Sequence, residues 1–191
     1  MPISVGTKNV PHLPTAAPAS HATTPIQFTP SNGSHRSGPV SYTHLIGCGS
    51  GALTIACAKR NPNGKMVGID RWGKEYASFS LPLCEKNAAA EGVKNALFRR
   101  GNAVKLDFPD ESFDAVTSNY VYHNITGADK QALLLETLRV LKKGGTYAIH
   151  DLMSPGRYDD MQAFVQKLRD MGYERVEPVS YTHLDVYKRQ G

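Results

Sequence analysis

A glycine-rich loop and an acidic residue about twenty positions later are the clearest chemical feature of the sequence. The loop reads IGCGSGA over residues 46–52, and Asp70 ends the apolar run KMVGID. Glycines let the backbone approach a ligand closely, and the N–H groups of a following helix attract negative charge. Gly47, Gly49 and Ala52 also satisfy the dinucleotide pattern GxGxxA, in which an acid binds the ribose. The two features therefore predict a nucleoside site and leave the nucleoside open.

Two histidines outside the flanking segments could move a proton. His123 lies in NYVYHN, and His150 lies beside Asp151. A reaction that takes a proton from an amine or hydroxyl needs a base, and imidazole suits this role near neutral pH. A structural hydrogen bond alone would also explain each histidine. Tyr120 and Tyr122 alternate in direction along an extended chain, so one of them is expected to face a pocket. The catalytic candidates are His123 and Tyr120.

The elements that would position these residues alternate between strand and helix. Short apolar runs bounded by glycine, aspartate or asparagine predict strands over 65–70, 96–103, 113–121 and 145–153. Helical spacing predicts helices over 52–60, 74–91, 129–143 and 158–171, with Pro82 kinking the second or delaying its start. This alternation predicts an α/β fold with a doubly wound, mostly parallel sheet. Ligands of such sheets bind beyond the carboxyl ends of the strands, where the glycine loop is expected.

The motif set as a whole resembles the class I S-adenosylmethionine-dependent methyltransferase family. The resemblance rests on IGCGSGALTIA, MVGID, GNAVKLDFPDESFDAVTSNYVYHNI and ETLRVLKKGGTYAIHDLM, in this order, over about residues 46–153. It implies a Rossmann-like fold and S-adenosylmethionine as the cofactor. It also implies these positions around the cofactor: Gly47, Gly49 and Gly51 at its methionine and ribose, Asp70 at the ribose hydroxyls, Asn102 and Ala103 beside the adenine, and Asn119 and Tyr120 near the reaction centre.

Two copies of PVSYTHL, at residues 39–45 and 178–184, flank this body. The DNA for VSYTHLDVYKRQ can be written as its own reverse complement once CT precedes it, and a proline codon can supply CT before both copies. The segment resembles a translated transposon-end sequencing adapter, and such scars are set aside in fold reasoning. We therefore expect four parts: a disordered leader of uncertain origin (1–39), an adapter-derived scar in place of the first strand (40–45), an incomplete methyltransferase domain (46–178) and an adapter-derived tail (179–191). The last dozen residues, like the leader, should lack a single packed conformation because they have no apolar face to bury.

The sheet is consequently expected to be truncated at both ends. Thr43, His44 and Leu45 stand where the family has a first strand that ends in an acid. A strand should still form there because its neighbours require one, although it carries polar groups where central strands are apolar. After residue 178 the closing antiparallel strands are expected to be absent, which would leave an unpaired edge.

The amino-acid composition limits the possible binding partners and the cellular compartment. Residues 1–39 hold seven of the twelve prolines and no Asp or Glu, as in a segment without a packed core. The leader and the tail supply three of the formal +5 charges, so about +2 remains on the body and no nucleic-acid partner is expected. Cys48, Cys57 and Cys84 lack metal-ligand spacing, which favours a reduced, cytoplasmic compartment and no metal. No apolar run reaches membrane-spanning length.

The prediction for function is an enzyme that transfers a methyl group from S-adenosylmethionine to an unidentified small molecule. Such a transfer is an in-line displacement that depends mainly on positioning. A NAD-dependent oxidoreductase of the same layered class and a non-catalytic nucleoside-binding module remain alternatives.

Overall fold

The computed structural model describes residues 41–180 and 183–188. These residues form a seven-stranded sheet with helices between its strands. The expected disordered leader (1–39) and Val40 lie outside the described residues. The strands are β1 (Tyr42–Ile46), β2 (Lys65–Asp70), β3 (Ala96–Arg100), β4 (Phe113–Asn119), β5 (Leu141–His150), β6 (Tyr173–Ser180) and β7 (His183–Lys188). The helices are α1 (Ala52–Arg60), α2 (Leu81–Ala90), α3 (Lys130–Arg139), α4 (Pro155–Tyr158) and α5 (Met161–Asp170), and 3-10 turns cover Lys74–Tyr76 and Tyr122–Asn124.

The strand order β3-β2-β1-β4-β5-β7-β6 places β1 near the centre of the sheet. Strands β1 to β5 pair in parallel, whereas β7 pairs antiparallel with both β5 and β6. The chain runs from β1 outward through β2 to β3 and then returns to β4 on the other side of β1. Open α/β sheets bind their ligands at such a switch point. The predicted α/β, doubly wound and mostly parallel sheet is confirmed.

Helices cover both faces of this sheet, as two neighbouring residues of β1 show. Side chains alternate between the two faces along a strand. Leu45 belongs to a smaller apolar cluster with Ile55 of α1 and Cys84 of α2. Ile46 belongs to the larger cluster, which includes Leu134 of α3. Each face of the sheet therefore has its own core.

Pro82 delays the second helix, as predicted. α2 begins at Leu81 with Pro82 in its first turn, where a proline costs no helical hydrogen bond. Ser80 precedes the helix, and its Oγ accepts a hydrogen bond from the N–H of Leu83 at 3.3 Å. Local sequence signals are therefore sufficient to predict where α2 starts.

The predicted helix over 129–143 is too long. α3 ends at Arg139, and Leu141 is the first residue of β5 rather than part of the helical stripe. Leu141 pairs with Phe113 of β4, so strand pairing overrides the helical spacing of the leucines. β5 consequently starts four residues before the predicted 145.

The expected strand within residues 40–45 forms, and it carries a buried histidine. The His44 side chain stacks on Phe113, with ring centroids 4.7 Å apart, and meets the edge of Phe108 at 4.7 Å. Its Nδ1 lies 3.1 Å from the carbonyl oxygen of Val67, while the buried Nε2 has no hydrogen-bond partner. Burial lowers the pKa of His44 to about 4. Thr43 is also buried, so this central strand holds two polar side chains.

The expected loss of the closing strands is wrong, and the expectation that the last dozen residues lack a packed conformation is wrong for residues 183–188. β6 and β7 form an antiparallel pair, and β7 also pairs with β5 from Thr146 to His150. Val186 is fully buried in the larger core, and Lys188 Nζ donates to the carbonyl oxygen of Leu141 at 2.9 Å. The unpaired backbone edge of β5 explains why this alternating segment is taken up as a strand.

Candidate cofactor and reaction site

The carboxyl ends of the five parallel strands meet at one edge of the sheet. The terminal residues of β1, β2 and β4 are Ile46, Asp70 and Asn119. β1 lies between β2 and β4, with Ile46 in register with Ile69 on one side and Ser118 on the other. Asp70 and Asn119 therefore stand on either side of the glycine loop that leaves β1. The structure brings these predicted residues to one edge of the sheet.

The glycine loop adopts a backbone that places it against the loop after β4. Gly47, Gly49 and Gly51 all have positive φ angles, of 69°, 54° and 85°. A Cβ at Gly47 would lie 2.2 Å from Cγ2 of Val121, so a side chain there would force Val121 to move. Gly47 thus allows the cofactor loop and the predicted reaction segment to touch. The sequence did not single out Val121, since nothing local marks it as a contact of the loop.

Asp70 holds the glycine loop by hydrogen bonds. Its Oδ2 accepts from the N–H of Gly49 at 2.9 Å, and its Oδ1 accepts from the N–H of Trp72 at 2.9 Å. The indole Nε1 of Trp72 donates to the carbonyl oxygen of Gly49 at 2.9 Å, which closes the ring of contacts. Trp72 was missed in the sequence, although it is the only tryptophan and lies two positions after the acid. Asp70 therefore shapes the loop in addition to any ligand contact.

The donor and acceptor groups of this edge fit S-adenosylmethionine. A carboxylate offers about four lone-pair positions, so Asp70 keeps acceptor capacity for two ribose hydroxyls after its two backbone contacts. No side chain caps the N-terminus of α1, which follows Gly51, so that its first N–H groups can face a carboxylate. The missing Cβ atoms of the glycines leave the backbone open to a ligand. The residues present therefore suit the methionine and ribose parts of this cofactor.

A pocket of about 290 Å³ adjoins Asp70 on the side of β3. The residues that line it follow β2 or end β3: Trp72, Gly73, Lys74, Ala77, Phe79, Ser80, Leu81, Pro82 and Arg100. Asn102 and Ala103, predicted beside the adenine, come directly after this part of β3. Asn102 is exposed and its Oδ1 accepts from the N–H of Val104 at 3.0 Å, while Ala103 packs against the larger core. Neither Asn102 nor Ala103 lines this pocket, so their place beside the adenine stays a prediction.

Asn119 and Tyr120 lie on the other side of the glycine loop. Asn119 pairs with His150 of β5, and its Oδ1 lies 3.1 Å from Nδ1 of that histidine. Tyr120 has a positive φ of 54°, and its N–H donates to the carbonyl oxygen of His150 at 2.8 Å. The Tyr120 side chain is 45% exposed, whereas Tyr122 is buried with its hydroxyl 2.6 Å from that of Thr137. Tyr120 is thus exposed and Tyr122 buried, but strand alternation is not the reason, because β4 ends at Asn119 and Tyr122 lies in a 3-10 turn.

His123 pairs with a buried carboxylate that the sequence did not assign to it. Nδ1 of His123 lies 2.5 Å from Oδ1 of Asp151, a residue with no exposed surface. The His123 side chain is 13% exposed. The sequence shows Asp151 only as the neighbour of His150, because adjacency in the chain does not reveal which side chain it meets 28 positions away.

The described residues hold no group of three or more His, Cys, Asp or Glu side chains suited to a metal ion. Across the same part of the chain, no helix is long and apolar enough to cross a membrane. Cys48, Cys57 and Cys84 are free thiols, and burial raises the pKa of each.

Comparison with known proteins identifies the family. A family model described as a methyltransferase domain matches residues 46–177, more than half of the chain. A demethylmenaquinone methyltransferase from Roseiflexus castenholzii is 32% identical over 147 residues, which cover 73% of this chain and 56% of the relative. The uncharacterised methyltransferase YcgJ from Bacillus subtilis is 29% identical over 137 residues, which cover 71% of this chain and 51% of YcgJ. The chain spans about half the length of the curated relatives it matches.

Solved structures show the same fold. The crystal structure of YcgJ has a TM-score of 0.57 at 19% identity and covers 80% of this chain and 93% of its own. A SAM-dependent methyltransferase from Aquifex aeolicus has a TM-score of 0.56 at 21% identity and covers 78% of this chain and 83% of its own. These matches give no support to the NAD-dependent oxidoreductase alternative. The chain belongs to the methyltransferase-domain family, and the cofactor that this membership implies is S-adenosylmethionine.

Proposed function

We propose that the protein transfers a methyl group from S-adenosylmethionine to a small-molecule acceptor. The observation that carries the proposal is the contact between the glycine loop and the segment after β4, where Val121 lies against Gly47. This contact brings the glycine loop, which Asp70 holds, next to the segment that carries the exposed Tyr120. When bound, the cofactor supplies a methyl group made electrophilic by its sulfonium. The protein contributes mainly the positioning of acceptor and cofactor.

The places of the cofactor-binding residues at the edge support the following proposed roles. The three glycines leave room for the methionine and ribose parts, and Asp70 accepts hydrogen bonds from the ribose hydroxyls. Asn102 and Ala103 border the adenine, where short side chains leave space for a flat ring. Asn119 ends β4 on the side of the loop where the methyl group would be presented.

The acceptor is proposed to be a small, partly apolar molecule. The exposed side chains of Tyr120 and Leu152 follow β4 and β5 at the same edge and offer it an apolar surface. Several matched relatives are named demethylmenaquinone methyltransferases, which is consistent with a small organic acceptor. The free thiols support a reducing, cytoplasmic location for the enzyme.

Titration with S-adenosylhomocysteine, the product of methyl transfer, tests the cofactor assignment. We expect Asp70→Asn to weaken binding by about 1.5–3 kcal/mol, the scale of lost charge-assisted hydrogen bonds. Isothermal titration calorimetry would measure the dissociation constant. The matched control is Asp170→Asn at the exposed end of α5, which should bind as the wild type does. An unchanged dissociation constant for Asp70→Asn would remove this residue from the site.

Two further outcomes would redirect the proposal. Binding of NAD in preference to S-adenosylhomocysteine would revive the oxidoreductase alternative. Binding of S-adenosylhomocysteine without methyl transfer to any member of a broad acceptor panel would instead indicate a non-catalytic nucleoside-binding module.

A further inference from the structure

The carboxylate of Asp151 is held in one orientation by the backbone around it. Its Oδ2 accepts from the N–H groups of Val121 at 3.1 Å and Tyr122 at 2.7 Å, with the N–H of His123 at 3.4 Å. Its Oδ1 accepts from the N–H of Leu152 at 2.7 Å and faces Nδ1 of His123 at 2.5 Å. The carboxylate thus ties the end of β5 to the turn after β4, and it is wholly buried.

This arrangement determines which nitrogen of His123 carries the hydrogen. An ionised carboxylate can only accept, so Nδ1 of His123 must donate to it. In a neutral imidazole the other nitrogen, Nε2, is then the one with a free lone pair. A carboxylate behind the ring also stabilises the imidazolium that forms when Nε2 takes up a proton. The pair therefore has the form of an oriented base.

His123 lies close in the chain to the residue that contacts the glycine loop. It belongs to the 3-10 turn that follows β4, and Val121, two residues earlier, touches Gly47 of the cofactor loop. The Tyr120 ring lies 6.0 Å from the His123 ring and 4.6 Å from the His150 ring, in edge-to-face geometry. These three rings form an aromatic border beside the glycine loop, and the exposed Tyr120 offers a face or edge to a flat ligand.

We propose that His123, oriented by Asp151, takes a proton from a hydroxyl group on a flat aromatic acceptor. This inference rests on the proposed methyl transfer. In the balanced step the acceptor oxygen bonds to the methyl carbon, the electron pair of the broken C–S bond stays on sulfur, and the acceptor's proton goes to Nε2 of His123. Asp151 is a positioning residue, since it acts on the acceptor only through the ring. An aromatic molecule with a hydroxyl group on its ring is a phenol, so the proposed acceptor class is phenolic.

Other titratable and charged groups surround the pair and enter any pH profile. Arg157 of α4 donates through Nη1 to the carbonyl oxygen of His123 at 3.2 Å. Tyr158 is buried near Asp151, and burial together with that negative charge raises its pKa. Burial also raises the pKa of Tyr122 to about 12, so its buried hydroxyl stays protonated near neutral pH. The Tyr120 ring faces His123, and the His150 ring lies on the Tyr120 ring.

The tautomer of His123 tests the pair without any acceptor. In the full chain with S-adenosylhomocysteine, two-bond ¹H–¹⁵N spectra of histidine-labelled protein report which ring nitrogen carries the hydrogen. His123→Gln identifies the signal by its loss. We expect the hydrogen on Nδ1, with Nε2 as a bare acceptor. A neutral ring with its hydrogen on Nε2 would overturn the proposal.

Methyl transfer to phenols of increasing acidity tests the proton step. With catechol we expect His123→Gln to lower kcat at least about 100-fold, the usual scale of general-base catalysis, with the dissociation constant of S-adenosylhomocysteine unchanged. The pH dependence of kcat should differ between the wild type and His123→Gln. 4-Nitrocatechol is assayed at a pH above its own pKa, so that it is already ionised. With this acceptor the decrease in kcat caused by His123→Gln should be much smaller. Equal losses with both phenols would exclude a base role.

Asp151→Asn tests the positioning role. We expect a mixture of His123 tautomers and a lower kcat with an unchanged KM, whereas Asp159→Asn, an exposed carboxylate nearby, should leave both unchanged. If Asp151→Asn does not fold, His123→Gln still decides the question. Failure to bind S-adenosylhomocysteine would count against the proposed function itself, whereas binding with transfer only to non-phenolic acceptors would overturn this inference alone.

Discussion

The buried His44 should make the protein unusually sensitive to mild acid. Its ring lies between Phe108 and Phe113 in the central strand, and its pKa is lowered from 6.5 to about 4 because burial penalises the charged form. A folded-state pKa below the unfolded value means that the fold prefers neutral His44. The stability that depends on this neutral form is present above about pH 6.5 and is lost progressively as the pH falls towards about 4.

The size of the effect follows from the two pKa values. Between pH 7 and pH 5, a histidine with pKa 6.5 unfolded and about 4 folded costs about 2 kcal/mol of folding free energy by proton linkage. Substitution His44→Leu should abolish this part of the acid sensitivity. It should also raise stability at pH 7 by about 1–2 kcal/mol, since it removes the unpartnered Nε2 from the core.

Urea unfolding at the two pH values measures both effects. The matched control is Thr43→Val, which removes a buried polar group from the same strand without removing a titrating one. Wild type and Thr43→Val should lose about 2 kcal/mol more between pH 7 and pH 5 than His44→Leu loses. Equal losses of unfolding free energy in all three proteins would refute the reasoning. They would show that protonation of His44 does not destabilise the fold.

Two further substitutions test the glycine loop and the tail. Gly47→Ala should destabilise the fold by about 2–4 kcal/mol and weaken binding of S-adenosylhomocysteine, because a Cβ at this positive φ angle would meet Val121 at 2.2 Å. Urea unfolding and calorimetry measure the two losses; adding Val121→Ala should restore part of the stability, and full stability of Gly47→Ala alone would disprove the contact. Val186→Asp should cost about 3 kcal/mol or more, because it buries an unpaired carboxylate in the larger core. An unchanged urea midpoint would return the tail to the unpacked state expected from its sequence.

The sequence determined the elements whose signals are local. α1 and β2 have the predicted bounds, since a glycine loop followed by helical spacing, and an apolar run that ends in aspartate, are complete within a few residues. The delayed start of α2 was likewise readable from Pro82. The alternation of these elements then predicted a parallel sheet, with the glycine loop and Asp70 at its carboxyl edge. These inferences need only the neighbours of each residue along the chain.

Only the tertiary structure decided which distant groups meet. Asp151 pairs with His123 across 28 positions rather than acting with its neighbour His150, because the ends of β4 and β5 lie side by side. Val121 lies against Gly47 because β1 and β4 are adjacent at the switch point of the sheet. The tail forms β7 because β5 offers an edge with unpaired backbone groups. Such contacts depend on strand order and register, which the pattern along a single strand does not contain.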